Sequence, residues 1–382
     1  MSLMQVETTG TTAPVGSVGQ LLESGIASLD ITAAEHQAVE SRYQSLGAAF
    51  EEHWEQTRST NTVFPQGSFR LGTVTRRIHH NDDVDIDLVA TRDLSKDSIS
   101  QQELKMDAGH PVRSFAGGYA PRPEVHESDR CWTLNFAGMH MDVLPALDEP
   151  DGLGGILITD RAVRAWQRSH PRGYAEWFHS QVAAELNERR QEVLAKNTDI
   201  EDVPDFALKS DLQRVVQALK RHRDIYFKDR LDDRPSSIII TTLAARAYAA
   251  TGRADLYDSL RNITKAMPDY ITFDTAGWQL ANPVQPEENF ADYWNVDHRL
   301  RRNFEQWLDA AIVDFDAIGI QKGLHNVLPR LRQTFGERAE QSAARAAGAE
   351  VYVARTNGTL VAGTSSSQVT ARQVKPHGFY GG

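Results

Sequence analysis

Cysteine is almost missing: among 382 residues there is one, Cys131. A single thiol excludes a disulfide framework and any cysteine-based zinc site, and it fits a reducing cytosolic compartment. Cys131 opens the apolar pattern Cys131-Trp132-Thr133-Leu134 and reads as an inert core residue. Positive charge is also scarce. With 41 Lys and Arg against 52 Asp and Glu, the formal net charge of −11 argues against a protein that coats nucleic acid, while leaving room for a local basic cleft. No run is long enough for a membrane span, and the opening MSLMQVETTGTTAPVGSVGQ lacks the charged start and apolar middle of a signal peptide. The expectation is a cytoplasmic protein with no membrane partner.

What is present is ordinary for a soluble chain, with 40% hydrophobic residues, and it divides into four stretches. Residues 1–19 read as a flexible lead-in, 20–205 as a strand-bearing core lobe, 206–345 as a helical lobe and 346–382 as a flexible tail rich in Gly, Ser and Thr. The fold class is α+β, a mixed sheet followed by helices. Thr32-Ala33-Ala34-Glu35 has the form of a capping box and predicts a helix over about 33–58, with Val39, Tyr43, Leu46, Phe50 and Trp54 on one stripe. Ser210-Asp211-Leu212-Gln213 repeats that signature before Val215, Val216 and Leu219. Further helical patterns occupy about 236–250, 254–265, 292–317 and 327–345.

The stretch DVDIDLVA alternates strictly, with Val84, Ile86 and Leu88 on one face and Asp85 and Asp87 on the other. A second strand carries Asp142, in a hairpin over residues 129–147 that turns near Ala137-Gly138. Carboxylates at i and i+2 of a strand repel unless a cation lies between them, and their hard oxygens select Mg²⁺ or Mn²⁺. A lone D-x-D is commonly just the wet face of a strand. Here Gly67-Ser68 precedes it, and a Gly-Ser turn lets backbone N–H groups and a hydroxyl approach phosphate oxygens. Turn, paired acids and a later solitary acid together point to phosphoryl transfer, with Asp142 also placed to take a proton from an attacking hydroxyl.

QGSFRLGT, DVDIDLV and MDVLPAL, in that order, resemble the nucleotidyltransferase core of the polymerase β superfamily, specifically the cGAS/DncV-like enzymes (CD-NTases) of bacterial CBASS anti-phage systems. The resemblance spans residues 40–310. It implies a two-lobed polymerase β-like fold and an enzyme that makes a cyclic oligonucleotide second messenger from ATP, GTP or other NTPs. By the same resemblance Asp85, Asp87 and Asp142 bind two Mg²⁺ ions, with Mn²⁺ as a substitute. Gly67 and Ser68 hold the triphosphate, and Gln66 lies beside the donor nucleotide. ALKRHRD and RPSSIIITTLAARAY resemble the helices whose lysine and serine contact that triphosphate, which implies Lys220 and Ser237. Ser237 or Ser236 would cap its helix after Pro235. Asn282 and Asn289 also match, without an assigned role.

Other readings stay open beside this one: a polymerase β-type transferase acting on RNA or protein, or an inactive nucleotide-binding scaffold. Arg70, Arg76 and Arg77 could rim the phosphates or belong to a plain surface. His79-His80 read as loop, and Trp132, Trp166, Trp177 and Trp294 as core or interface anchors. Some relatives are joined to a target by ubiquitin-like E1/E2 machinery, and Gly381-Gly382 would suit such conjugation through Gly382. By the same resemblance, the lack of clustered cysteines implies that the zinc-bearing DNA clamp of the animal homologues is missing, so that no DNA activator is expected.

Overall fold

The structure, a computed structural model, describes residues 5–7, 17–55, 62–76, 83–149, 154–159, 166–196, 205–252, 254–321, 323–357, 361–363 and 372–373. Arg77, His79, His80, Gly381 and Gly382 lie outside the described residues. A short strand β1 (Gln5–Glu7) precedes α1 (Val18–Ala27) and α2 (Ala33–Trp54). Then come β2 (Val63–Pro65), the one-turn α3 (Gly67–Arg70), β3 (Val84–Arg92), α4 (Gln101–Gly117), β4 (Glu124–Glu127), β5 (Trp132–Phe136), β6 (Met139–Asp148), β7 (Ile156–Thr159) and β8 (Trp166–Ser169). Helices α5 (Pro171–Ser180), α6 (Ala183–Lys196), α7 (Asp211–Tyr226), α8 (Ser237–Thr251) and α9 (Leu256–Ala266) follow. The hairpin of β9 (Thr272–Asp274) and β10 (Gly277–Gln279) leads to α10 (Asp292–Val296), α11 (His298–Gly319), α12 (Leu324–Phe335) and α13 (Glu337–Thr356), and β11 (Val361–Gly363) and β12 (Arg372–Gln373) come last.

Among the described residues, seven strands form the main sheet, ordered β2-β3-β6-β5-β4, with β7 and β8 continuing from β6. β3 and β6 run parallel, and the other described pairings in the sheet are antiparallel. One face is dry. Ile86, Leu88 and Ala90 of β3 and Met141 and Val143 of β6 pack with Leu46 and Phe50 of α2 and Leu104, Ala108 and Val112 of α4. Because strand side chains alternate, that burial sends Asp85, Asp87, His140 and Asp142 to the opposite face. Gly109 of α4 lets the helix settle on the sheet, since a Cβ there would stand 2.6 Å from the Trp132 ring.

The second core is helical and draws its members from both ends of the chain. Leu21, Leu22 and Ile26 of α1 and Tyr174 and Phe178 of α5 share one cluster with Leu212, Leu219, Ile240, Leu243, Phe304, Trp307 and Phe315. This corrects the expected 20–205 lobe: α1 and α5 belong with the helices, because their apolar side chains are buried in that cluster and not on the sheet. The tail boundary also shifts. Instead of ending near 345, α13 continues to Thr356, with Ala339, Ala343 and Ala347 as a buried seam whose small residues admit Gly25 of α1. The lead-in ends earlier than 19, because Ser17 caps α1 in a reciprocal box with Gln20. Both foreseen capping boxes, Thr32 with Glu35 and Ser210 with Gln213, are present.

Helix α7 is unusual in burying polar side chains along its length, among them Gln213, Gln217, Lys220, Arg221, His222 and Arg223. Their partners explain it. The chain after α3 is irregular, so its carbonyls need donors from outside the segment. Gln213 donates to Leu71 O at 2.9 Å, Gln217 to Val74 O at 2.8 Å and Lys220 to Thr73 O at 3.0 Å, while Arg221 donates to Arg76 O. Lys209, just before the helix, donates to Gly72 O at 2.9 Å. Replacing Gln217 by Leu should therefore strand the Val74 carbonyl and cost about 1–3 kcal/mol. The urea midpoint is expected to fall with an unchanged slope.

Candidate active site

Parallel pairing of β3 with β6 sets Asp87 directly beside Asp142 and Asp85 beside His140. Neighbouring strands lie about 4.8 Å apart, so the two paired acids are held close by the backbone whatever their charge. On the far side of β6, hairpin pairing sets Thr133 of β5 opposite Asp142, and its hydroxyl donates to Asp142 Oδ1. Ser128 Oγ lies 3.2 Å from the Thr133 hydroxyl. His140 Nε2 contacts Asp83 Oδ2 at 2.6 Å beside Asp85. The three expected acids thus meet on one sheet face.

The Gly-Ser turn covers this cluster. Gln66 N donates to Asp87 O at 2.9 Å, which ties the end of β2 to β3. Gly67 follows with φ +57°, and a Cβ there would sit 2.7 Å from Asp87 Oδ2. Only glycine accepts that conformation and that proximity without strain. Ser68 is next, half-buried, its carbonyl accepting from Thr73 N at 2.9 Å.

Charge in the cluster is unbalanced. Burial, then the Asp142 and Asp85 carboxylates, push Asp87 up to about 6, against a smaller opposing pull from Lys220. Lys220 is 7% exposed; burial and then Arg223 bring its ammonium down to about 8, while Asp224, Asp87 and Asp85 work the other way. Lys220 therefore stands within electrostatic reach of the acids. Ser237 differs in detail. Ser236 occupies the N-cap of α8 without a side-chain cap bond, and Ser237, the first helical residue, accepts from Arg223 Nη1 at 2.8 Å.

Several neighbours were not foreseen. Thr133, His140 and Arg223 went unremarked, and Cys131, expected in the core, is half-buried near Asp142, where burial and that carboxylate push its thiol up to about 11. A thiol so held is inert, as expected, but by its surroundings at the site. Arg76 is no phosphate rim, since it binds Glu35 and donates to Asp30 O at 2.7 Å. Asn289 and Asn282 fold their own loop: Asn289 Oδ1 accepts from Leu280 N and Ala291 N, and Asn282 Nδ2 donates to Glu288.

Among the described residues no three His, Cys, Asp or Glu side chains stand as a ready-made metal cage. The donor set nonetheless fits a hard divalent cation. Its contributors are all carboxylate oxygens, and the raised proton affinity of Asp87 reflects burial and the two neighbouring carboxylates, which Lys220 offsets only in part.

Residues 17–181 match the Second Messenger Oligonucleotide or Dinucleotide Synthetase domain. The c-di-GMP synthase of Roseivirga ehrenbergii is 29% identical over 328 residues, covering 84% of this chain and 85% of its own. Over most of its length the chain is thus similar to a cyclic dinucleotide synthase, and its first half carries the match to the second-messenger synthetase domain. The cyclic dinucleotide synthase CdnG of Bradyrhizobium diazoefficiens is 24% identical over 300 residues, covering 72% of this chain and 70% of the relative. Its GTP complex superposes with a TM-score of 0.65 at 20% identity over 86% of this chain and 98% of that one. Vibrio cholerae DncV, solved with a linear intermediate, gives 0.62 at 13% identity over 89% and 98%. These superpositions bear out the two-lobed polymerase β-like fold.

The charge imbalance has a thermodynamic consequence. A carboxyl whose folded pKa is raised stabilises the fold while protonated, and that contribution is lost as pH climbs from the unfolded value of 3.8 through about 6. In metal-free buffer, Asp87→Asn should therefore melt above the parent protein at pH 7, with the difference shrinking towards pH 4. Added Mn²⁺ should raise the melting temperature of the parent and leave the variant nearly unmoved. Differential scanning fluorimetry across pH reads both effects.

Proposed function

We propose that the protein joins nucleoside triphosphates into a cyclic oligonucleotide, using ATP, GTP or both. The observation that carries this reading is the β3–β6 register, which sets Asp87 against Asp142 beneath the Gly67 turn, with Asp85 two residues along the same face. Guanine nucleotides gain support from the Roseivirga c-di-GMP synthase and from the GTP-bound Bradyrhizobium relative.

In this reading Asp85, Asp87 and Asp142 hold two Mg²⁺ ions, which Mn²⁺ could replace. Such ions supply neutralisation of phosphoryl charge and a more acidic attacking hydroxyl. The protein's own groups do the rest. Ser68, Lys220 and Ser237 bind the donor triphosphate, and Gln66 lies beside the donor nucleotide. Lys220 would exchange its Thr73 carbonyl for a phosphate oxygen, a stronger acceptor for an ammonium. Because Thr133 occupies Asp142 Oδ1, the other oxygen of Asp142 is left to receive the proton of an attacking ribose hydroxyl.

Incubation of the purified protein with pairs of labelled NTPs and Mg²⁺, followed by product mass, tests the proposal. A cyclic product is expected, reduced roughly a hundredfold or more in the Asp85→Ala, Asp87→Ala variant. A product extended on RNA or protein, or undiminished turnover in that variant, refutes it.

The resemblance also supports a cellular setting: a second messenger of anti-phage defence, and conjugation of Gly382 to a target by E1/E2 machinery. Phage plating on cells carrying the native locus should show protection that falls when Gly382 is deleted. Protection that survives the deletion removes the conjugation role.

A further inference from the structure

Arg223 lies in the last turn of α7 and is 7% exposed. Its guanidinium works on two edges. Nε and Nη2 donate to Asp224 Oδ1 at 2.9 and 2.7 Å, and Nη1 donates to Pro235 O at 3.0 Å and Ser237 Oγ at 2.8 Å. Buried, with four of its five N–H groups engaged in this way, Arg223 is poorly placed to touch a substrate itself.

Its effect on Ser237 follows from hydrogen-bond inventory. A guanidinium can only donate, whereas a hydroxyl offers one proton and two lone pairs. Ser237 Oγ must therefore accept from Arg223, and its own proton is directed elsewhere. Among the described residues no acceptor receives that proton. The Ser237 carbonyl is already engaged by Thr241 Oγ1 at 2.8 Å, so the backbone at this point is fixed too. Lys220, three residues before Arg223, adds a second buried cation on the same helix.

We propose that Arg223 is a positioning residue that makes the Ser237 hydroxyl a committed donor to a phosphate oxygen of the donor nucleoside triphosphate. The inference rests on the reading of Ser237 given above and adds the residue that enforces it. Lysine cannot replace arginine here, because a single ammonium nitrogen cannot span Asp224 on one edge and Pro235 with Ser237 on the other.

The test is equilibrium binding of a non-hydrolysable nucleoside triphosphate, and of the matching monophosphate, to the full chain. Ser237→Ala should weaken triphosphate binding about tenfold and monophosphate binding little, the loss expected for a hydrogen bond to a charged group. Arg223→Lys should produce a similar loss, and combining it with Ser237→Ala should add almost nothing, since both remove one interaction. Should Arg223→Lys fail to fold, Asp224→Asn loosens the same guanidinium without emptying its site and should show the same pattern. Parental affinity in Arg223→Lys, or a loss that persists in the Ser237→Ala background, overturns the inference while leaving Ser237 at the site. Parental affinity in Ser237→Ala overturns the Ser237 assignment and this inference together.

Discussion

The site depends on how one irregular segment satisfies its backbone. Among the described residues, the carbonyls of residues 71–74 and of Arg76 find no backbone partner in a strand or helix, and side-chain donors reach them from α7 and from Lys209. Gln213, Gln217, Lys220 and Arg221 recur at helical spacing, so one face of α7 runs along the segment like a rail. That rail holds the Gly67 turn down on Asp87 and fastens the sheet-bearing lobe to the helical one. It also accounts for a buried helix face of amides and cations, where an ordinary core helix would present leucine and valine.

The same arrangement gives the cleft its electrostatic character. Acids from two strands and a lysine from α7 influence one another, yet Lys220 donates to a carbonyl and Asp87 is shielded from full compensation. Both groups are displaced towards their neutral forms by burial. A ligand bringing anionic phosphates together with divalent cations would relieve both at once, the phosphates facing Lys220 and the cations facing the carboxylates. Neither charge alone would do so.

Much of this was legible because short periods carry it. Alternation in DVDIDLVA set both acids on one face, and a hairpin turning at Ala137-Gly138 fixed the strand bearing Asp142. That turn also pairs Phe136 with Met139 and hence Thr133 with Asp142, so Thr133 could have been found by counting back from the glycine. Arg223 had no such signal. Its importance comes from reaching Pro235 and Ser237 across a loop, and nothing in KRHRD marks which cation turns inward. Lobe membership of α1 and α5 was equally silent, because an apolar stripe states that a helix is buried and not against what.

The acids cannot have assembled their own geometry, since every interaction among them is repulsive. What fixes them is the opposite face of the same strands. Sliding β3 by one residue would turn Asp85 and Asp87 into the layer filled by Leu46, Phe50, Leu104 and Val112, and would expose Ile86 and Leu88. The cost of burying unpaired carboxylates in that apolar layer forbids the slip far more strongly than their mutual repulsion in the cleft opposes the observed register. A repulsive cluster is thus tolerated because apolar burial behind it leaves the backbone no better alternative, and the residual strain stays available for a cation to release.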